Sequence, residues 1–98
     1  MLPNDGPEEF EWDDAKAEAN RAKHGIPFEL AVEVFDDPDR LDVDDERFDY
    51  GEERRNAVGM AEGVVLTVSY TMRDGVCRII SARPASRRER EAYGDRSI

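Results

Sequence analysis

A single dipeptide, Asp74-Gly75, constrains the fold of this 98-residue chain more than any other feature. It separates two runs rich in β-branched residues, 64–71 and 76–83, and Asp-Gly between such runs is typical of a two-residue turn joining antiparallel strands. Side chains alternate between the two faces of a strand, so the first run has four apolar residues on one face: Val64, Leu66, Val68 and Tyr70. A weaker strand is predicted over residues 54–60, followed by a tight turn at 61–63. The sequence therefore predicts an antiparallel sheet.

Two helices are predicted before this sheet. Asp13 is a suitable N-cap for a first helix over residues 15–23, and Gly25 fits the position just beyond its end. Pro27 suits the first position of a second helix, which Pro38 ends. Apolar residues recur in this second helix at intervals of three and four, which predicts one buried stripe: Phe28, Ala31, Val32 and Phe35.

A third helix is predicted after the sheet, because Ser86 and Glu89 have the spacing of a capping box before residues 87–93. The acidic stretch 41–48 is a candidate for a short edge strand. We therefore predict one α+β domain over residues 10–98, with two N-terminal helices, an antiparallel sheet of three to four strands and a C-terminal helix. Residues 1–9 are polar and acidic and are predicted to form a flexible tail.

Cysteine usage and hydropathy limit the class of protein. The single cysteine, Cys77, excludes an internal disulfide framework and a multi-cysteine zinc site, and we interpret it as a small buried residue. No apolar run approaches the roughly 20 residues that a membrane span needs, and residues 1–9 lack the pattern of a signal peptide. We therefore expect a cytoplasmic protein with no membrane partner. The sequence contains no cofactor or metal motif, so neither is expected.

Charge is distributed unevenly along the chain. Residues 1–53 contain 19 acidic and 5 basic side chains, whereas residues 54–98 contain 5 acidic and 9 basic ones, and the whole chain has a net charge of −10. All nine cations of the second part are arginines, the side chain best suited to bidentate phosphate recognition. This asymmetry indicates two surfaces with different partners. A salt-adapted acidic surface or a GC-rich genome is the alternative explanation.

Four arginines near the end of the chain form the first candidate site: Arg78, Arg83, Arg87 and Arg88. Regular alternation along the strand predicts that Arg78 and Arg83 point to opposite faces of the sheet. Arg83 leaves the strand beside the predicted helix start, where free backbone N–H groups and a partial positive charge form an anion site. Alternatively, this is a solvated surface helix on which Arg87 pairs with Glu91. Spacing alone supports both interpretations equally.

Two weaker candidates precede this cluster. The tetrad Glu52-Glu53-Arg54-Arg55 could combine a general base with a phosphate clamp, although such a tetrad is more often a solvated strand end. His24 is the only histidine and could transfer protons, but Lys23-His24-Gly25 is also an ordinary helix C-terminus. The large aromatic side chains are predicted to be core residues: Trp12, Phe28, Phe35 and Tyr70.

A series of short motifs runs through nearly the whole chain after residue 9. They are Phe10-Glu11-Trp12-Asp13, Lys16-Ala17, Asn20, Lys23-His24-Gly25, Phe28-Glu29, Val34-Phe35-Asp36-Asp37-Pro38, Glu52-Glu53-Arg54, Val58-Gly59, Arg78-Ile79-Ile80-Ser81-Ala82-Arg83, Ala85, Arg87-Arg88-Glu89 and Tyr93. Each motif alone is weak. In this order and at these spacings the series resembles the BrnT family.

The resemblance implies a type II toxin with a fold like the RelE ribonucleases. It also implies an antitoxin, BrnA, whose ribbon-helix-helix domain binds operator DNA, so that the complex represses its own operon. RNA cleavage would need no metal, because the ribose 2′-hydroxyl attacks the adjacent phosphate. At the matching positions, Arg54 and Arg83 would hold the phosphate and His24 or Glu53 would move protons. Accessory RNA contacts would come from Lys23, Arg78, Arg87 and Tyr93.

One property departs from the resemblance. RNA-cleaving toxins are usually basic, whereas this chain has a net charge of −10. The acidic first half could instead receive a basic antitoxin. A non-catalytic corepressor, which only tunes operator binding by a ribbon-helix-helix partner, is therefore an alternative function.

Overall fold

The computed structural model describes residues 6–45 and 53–97 of the chain, with side chains described to residue 94. The helices and strands follow in the order β1 (Phe10–Glu11), α1 (Asp14–His24), α2 (Phe28–Ala31), a 3-10 helix (Val32–Asp36), β2 (Leu41–Asp44), β3 (Arg55–Ala61), β4 (Val64–Arg73), β5 (Val76–Pro84) and α3 (Arg87–Ser97). This is an α+β architecture, as predicted. The proposed tail lies mostly outside the described residues, as do residues 46–48 of the predicted edge strand.

The sheet has five strands in the order β1-β5-β4-β3-β2. Every pairing is antiparallel except that of β1 with β5, which is parallel and places Phe10 opposite Cys77. The Cys77 N–H also donates to the carbonyl of Glu9 at 2.9 Å. The prediction of a wholly antiparallel sheet of three to four strands was therefore wrong. A two-residue strand has no periodicity that a sequence pattern can reveal.

The predicted hairpin is confirmed, with both turn residues in the left-handed region. Asp74 has φ 52° and Gly75 has φ 82°, and positive φ at both central positions is the requirement of a type I′ turn. The turn between β3 and β4 has the same signature, with φ 50° at Glu62 and φ 81° at Gly63. Both turns match the right-handed twist of the strands that they join.

The first helix is also confirmed. The Asp13 carboxylate accepts hydrogen bonds from the N–H groups of Ala15 (2.8 Å) and Lys16 (3.1 Å), as an N-cap does. Gly25 ends α1 with φ 74°, and its N–H donates to the carbonyl of Arg21. This left-handed ending turns the chain toward α2.

The second predicted helix is only partly an α-helix. After Ala31 it tightens into a 3-10 helix, in which three residues make one turn. The buried positions follow this shorter period, because Phe28, Ala31 and Val34 are fully buried while Val32 is only partly buried. The predicted stripe is confirmed, because Phe28, Ala31 and Phe35 are buried and Val32 is partly buried against the same core. Val34, which the predicted stripe did not include, is also buried. β-Branched valines disfavour a regular α-helix here.

The main core lies between one face of the sheet and the first three helical segments. It comprises Phe28, Ala31, Val34, Phe35, Ala57, Ala61, Leu66, Val68, Tyr70, Cys77, Ile79 and Ala82. Phe35 lies at its centre, with its ring 5.4 Å from that of Phe10 and 5.0 Å from that of Tyr70. Gly59 faces the same core closely enough that an added Cβ would lie 2.9 Å from Val34. Burial confirms the core assignments of Phe28, Phe35, Tyr70 and Cys77, while Trp12 is partly buried against Phe28.

In the described part of the chain, α3 covers one end of the opposite face of the sheet. There α3 packs on a smaller cluster of Val58, Ala85 and Tyr93, with Leu41 and Val65 at its margin. Successive residues of a strand point to opposite faces, so Val58 belongs to this second face because its neighbours Ala57 and Gly59 point to the main core. The rest of this second face is the surface on which the candidate site lies.

Candidate functional site

A β-bulge in β5 determines which side chains reach the second face of the sheet. The pairing with β4 places Tyr70 opposite Ile79 but Ser69 opposite Ser81. One residue of β5, Ile80, is therefore extra and has no partner of its own. Such a bulge reverses the alternation of all residues that follow it.

The bulge brings Arg78 and Arg83 to the same face. Arg78 lies opposite Thr71 and Arg83 lies opposite Thr67, and these two threonines share one face of β4 because four positions separate them. The prediction that the two arginines point to opposite faces was therefore wrong. It assumed regular alternation, which Ile80 interrupts.

A third arginine, Arg54, immediately precedes β3. Asn56 lies opposite Ser69 on the second face, and the alternation of β3 directs Arg54, two positions earlier, to the same side. Backbone pairing between the β2 and β3 segments continues to Arg54, since the Asp45 N–H donates to the Arg54 carbonyl at 2.8 Å. Arg54 and Arg78 thus lie at one end of the face and Arg83 at the other.

Between these two ends lies a row of small polar side chains. Asn56, Ser69 and Ser81 are in register across three strands, and Ser69 Oγ donates to Asn56 Oδ1 at 2.6 Å. All three residues are partly exposed. A hydrogen-bonded row of small polar side chains is typical neither of a buried core nor of a solvated sheet edge. The sequence analysis did not predict this row.

Arg83 is held in a defined orientation by Glu89. The guanidinium Nη1 and Nη2 contact the two carboxylate oxygens of Glu89 at 2.8 and 2.9 Å. The same carboxylate accepts the N–H of Ser86 at 2.7 Å and the hydroxyl of Thr67 at 2.9 Å. The hydrogen bond from Arg83, with those from Ser86 and Thr67, lowers the pKa of Glu89 to about 2 despite partial burial. Glu89 is therefore ionised at any physiological pH.

The capping box that the sequence predicted is confirmed. The Glu89 N–H donates to Ser86 Oγ at 3.1 Å, which completes the reciprocal pair with the Ser86 N–H. Arg83 thus lies where it was expected, at the end of β5 beside the start of α3. The capping pattern located Glu89 but did not indicate its contact with Arg83, which depends on tertiary packing.

Helix α1 contacts β5 at Ala82, the residue before Arg83, through the side chain of Asn20. Asn20, which is 8% exposed, donates from Nδ2 to the carbonyls of Ala82 (2.8 Å) and Ile26 (3.0 Å). Its Oδ1 accepts the Ala82 N–H at 3.1 Å. The side chain thus pairs with the free backbone edge of β5 as another strand would. His24 follows one helical turn later on the same helix face, so it lies near the end of β5.

The other residues predicted for the first half of the site are more exposed. Lys23 is exposed on α1, beside the partly buried His24. Glu53 is exposed next to Arg54, and its carbonyl accepts the Thr71 hydroxyl at 2.6 Å. Arg55, by contrast, pairs with Asp42 at 3.0 Å and with Asp44, so this arginine supports the sheet edge rather than the arginine face.

Two predicted residues lie on α3 away from the three arginines. Arg87 is 85% exposed and pairs with Glu91 at 3.2 Å, which is the alternative surface-helix interpretation for this position. Tyr93 is 8% exposed, and its hydroxyl donates to Asp37 at 2.5 Å. Burial and this hydrogen bond raise the pKa of Tyr93 to about 12. Tyr93 therefore anchors α3 through its packing on Val58 and its hydrogen bond to Asp37. Its contact with RNA stays a prediction.

Arg78 is paired more weakly than Arg83. Its Nη1 lies 3.3 Å from a carboxylate oxygen of Glu11, which faces it from the parallel strand β1. Both side chains are partly exposed, at 30% and 44%, so solvent screens the pair strongly. This single contact holds Arg78 less firmly than the two contacts with Glu89 hold Arg83.

No group of three His, Cys, Asp or Glu side chains in residues 6–45 and 53–97 is arranged to hold a metal ion. Over the same part of the chain, the helices are too short or too polar to cross a membrane. The candidate site is the second face of the sheet, with its three arginines and its polar row.

The fold is a small α+β domain with three arginines toward one face of its sheet, and arginine is the side chain best suited to bidentate contacts with phosphate. Comparison with known families identifies it further: the family model described as the ribonuclease toxin BrnT of type II toxin-antitoxin systems matches residues 12–89. The chain therefore belongs to the BrnT family, which confirms the resemblance. Membership implies a ribonuclease toxin with an RNA substrate and a protein antitoxin. No curated protein matches the chain.

Proposed function

We propose that this chain cleaves RNA without a metal ion, by attack of a ribose 2′-hydroxyl on the adjacent phosphate. The observation that carries the proposal is that Arg78 and Arg83 share the second face of the sheet, and the alternation of β3 directs Arg54 to the same side. In this reaction a base removes the 2′-hydroxyl proton, the 2′-oxygen bonds to phosphorus and the 5′-oxygen leaves with a proton. The products are a 2′,3′-cyclic phosphate and a 5′-hydroxyl. Arginines stabilise the negative charge that develops on the phosphate oxygens.

The spacing of the arginines favours a strand of RNA over a single small phosphate. Four residue steps and two strand spacings separate Arg54 from Arg83, so their Cα atoms lie about 16 Å apart. Long arginine side chains can reach inward from both ends, over the polar row. Arg83 would then hold the scissile phosphate, with Arg54 and Arg78 on the charge that develops or on the next phosphate.

Two residues are suited to move protons. Glu53 adjoins Arg54 at one end of the second face, and His24 lies on α1, one helical turn after Asn20, whose side chain bonds to Ala82 beside Arg83. A base must come within hydrogen-bond reach of the 2′-hydroxyl, so the bound RNA would have to reach Glu53 or, around the end of β5, His24. Lys23, Arg87 and Tyr93 would be accessory contacts. The variants His24→Ala and Glu53→Gln, compared over a range of pH, would assign the base.

A digest of RNA by the purified chain in EDTA tests the proposal, with the new ends analysed for 2′,3′-cyclic phosphate. Arg83→Ala should lower the cleavage rate by roughly 10²- to 10³-fold, the usual loss on removing one charge-stabilising donor. Arg21→Ala is the matched control, because Arg21 is exposed on α1 and its loss changes the net charge equally. If Arg83→Ala cleaves as fast as Arg21→Ala, the role of Arg83 is wrong.

We further propose that the antitoxin is a BrnA-like ribbon-helix-helix protein and that the complex represses its own operon. The strongly acidic first half of the chain supports a basic partner segment. The alternative, a non-catalytic corepressor, is supported by that same acidic half. A chain that leaves RNA intact at all salt concentrations, yet strengthens operator binding by its partner, would favour the alternative.

A further inference from the structure

We infer that Glu89 is a positioning residue, which presents Arg83 to the RNA phosphate in one fixed orientation. The inference rests on the proposed function. Its basis is that four hydrogen bonds converge on one carboxylate: two from Arg83, one from the Ser86 N–H and one from the Thr67 hydroxyl. These donors belong to β5, to the start of α3 and to β4. Glu89 is thus fixed from three sides before any substrate binds.

The geometry of the guanidinium shows what this contact leaves available. An arginine has five N–H groups, one on Nε and two on each Nη. Glu89 occupies the terminal edge of Arg83, one N–H of Nη1 and one of Nη2, and Nη1 also approaches the Pro84 carbonyl at 3.4 Å. In the described part of the chain, Nε–H and the second N–H of Nη2 have no acceptor. These two groups form the side edge, which can bind a phosphate bidentately.

The Arg83 side chain is both accessible to solvent and held in one orientation. The Arg83 side chain is 36% exposed and Glu89 is 25% exposed, whereas the ordinary surface pair of Arg87 and Glu91 is 85% and 63% exposed. A free arginine on the surface would lose its rotamer freedom when phosphate binds. Arg83 has already lost this freedom on folding. Its side edge is therefore preorganised for charge that develops during the reaction.

Competition is the opposite effect, and experiment distinguishes it from positioning. In competition, the Glu89 carboxylate and the RNA phosphate would bind the same groups of Arg83. Competition predicts faster cleavage when the carboxylate is removed, whereas positioning predicts slower cleavage. Because Glu89 holds one edge of Arg83 and leaves the other open, the geometry supports positioning.

The test is the single-turnover cleavage of an RNA transcript at a position that the wild-type chain cuts. Glu89→Gln removes the charge but keeps the volume and the capping-box acceptor. We expect the rate of the chemical step to fall about tenfold, with the RNA concentration for half-maximal rate changing less than twofold. Glu18→Gln is the control, since Glu18 is exposed on α1 and its loss changes the net charge equally.

A double-mutant cycle with Arg83→Lys separates positioning from a merely structural role. Lysine keeps the charge but has no second edge to orient. If Glu89 acts through Arg83, Glu89→Gln should slow the Arg83→Lys chain by less than twofold. Thr67→Val is a milder variant with an intact carboxylate, and it should slow cleavage a few-fold through the loss of one hydrogen bond to Glu89. It serves as the test if Glu89→Gln fails to fold.

Three results would overturn the inference. Cleavage by Glu89→Gln at or above the rate of Glu18→Gln would show that the carboxylate is neutral or inhibitory. A tenfold loss that persists in the Arg83→Lys background would show that Glu89 acts independently of Arg83. A wild-type chain that cleaves no RNA would refute the proposed function together with this inference, whereas the first two results leave the proposed function standing.

Discussion

The side chain of Asn20 makes a quantitative prediction, because three backbone groups depend on it. Asn20→Ala would remove hydrogen bonds to the Ala82 N–H, the Ala82 carbonyl and the Ile26 carbonyl. Each buried hydrogen bond contributes about 1 kcal/mol net, so the three contribute about 3 kcal/mol. A domain of this size has roughly 5–15 kcal/mol of stability in all. Asn20→Ala should therefore remove a large part of it.

Urea denaturation followed by circular dichroism measures this loss directly. A loss of about 3 kcal/mol corresponds to a fall in Tm of roughly 12–24 °C for a domain of this size. Asn56→Ala is the comparison, because Asn56 accepts one hydrogen bond, from Ser69, on a partly exposed surface. That variant should lose no more than about 1 kcal/mol. If the two variants lose the same stability, water replaces the Asn20 contacts at no cost, and the assigned role of Asn20 is wrong.

Three further predictions concern single side chains. The pKa of Glu89 falls from 4.5 to about 2 on folding, so its carboxylate stabilises the fold fully above pH 4.5 and loses this effect as the pH falls toward 2. Screening at this partly exposed site limits the effect to about 1–2 kcal/mol, so Glu89→Gln should be less stable by that amount at pH 7, with the gap closing as the pH falls from 4.5 toward 2 in urea titrations. Gly59→Ala should lose about 1–3 kcal/mol, because its Cβ would meet a core side chain at 2.9 Å. Gly94→Ala, with nothing within 4 Å of its Cβ in α3, should gain roughly 0.5–1 kcal/mol in the same assay, and equal effects at both glycines would refute the packing argument. Tyr93→Phe should lose about 1–2 kcal/mol through its missing hydrogen bond to Asp37, and an unchanged denaturation midpoint would contradict this.

Local signals in the sequence predicted the local structure well. The caps of α1, the capping box of α3 and the hairpin turn at Asp74-Gly75 each depend on residues within four positions of one another. The physical causes are equally local: a side-chain oxygen beside free N–H groups, or a residue that tolerates positive φ. For this reason the order of most elements could be predicted without knowledge of the tertiary structure.

Non-local pairing explains the failures. The parallel strand β1 is two residues long, and only its position beside Cys77 makes it a strand. The bulge at Ile80 has no marker, since Ile79-Ile80 reads as two ordinary strand residues. Sequence reasoning therefore located Arg83 at the end of β5 but placed it on the wrong face relative to Arg78. The sequence indicated Glu89 as part of a capping box and Asn20 as part of a family motif. It did not indicate their partners on β5, which are Arg83 for Glu89 and Ala82 for Asn20.

The bulge at Ile80 has a consequence for how this segment can change. Five positions separate Arg78 from Arg83. In an uninterrupted strand, an odd separation places two side chains on opposite faces of the sheet. Loss of Ile80 would leave four positions between them, an even number, so regular pairing would keep both arginines on the same face. Regular pairing without that loss would instead turn over the residues after Ile80, so that Ala82 would face away from the main core and Arg83 toward it. The bulge therefore accommodates one residue more than regular pairing needs, and this segment can lose that residue without moving either arginine to the other face.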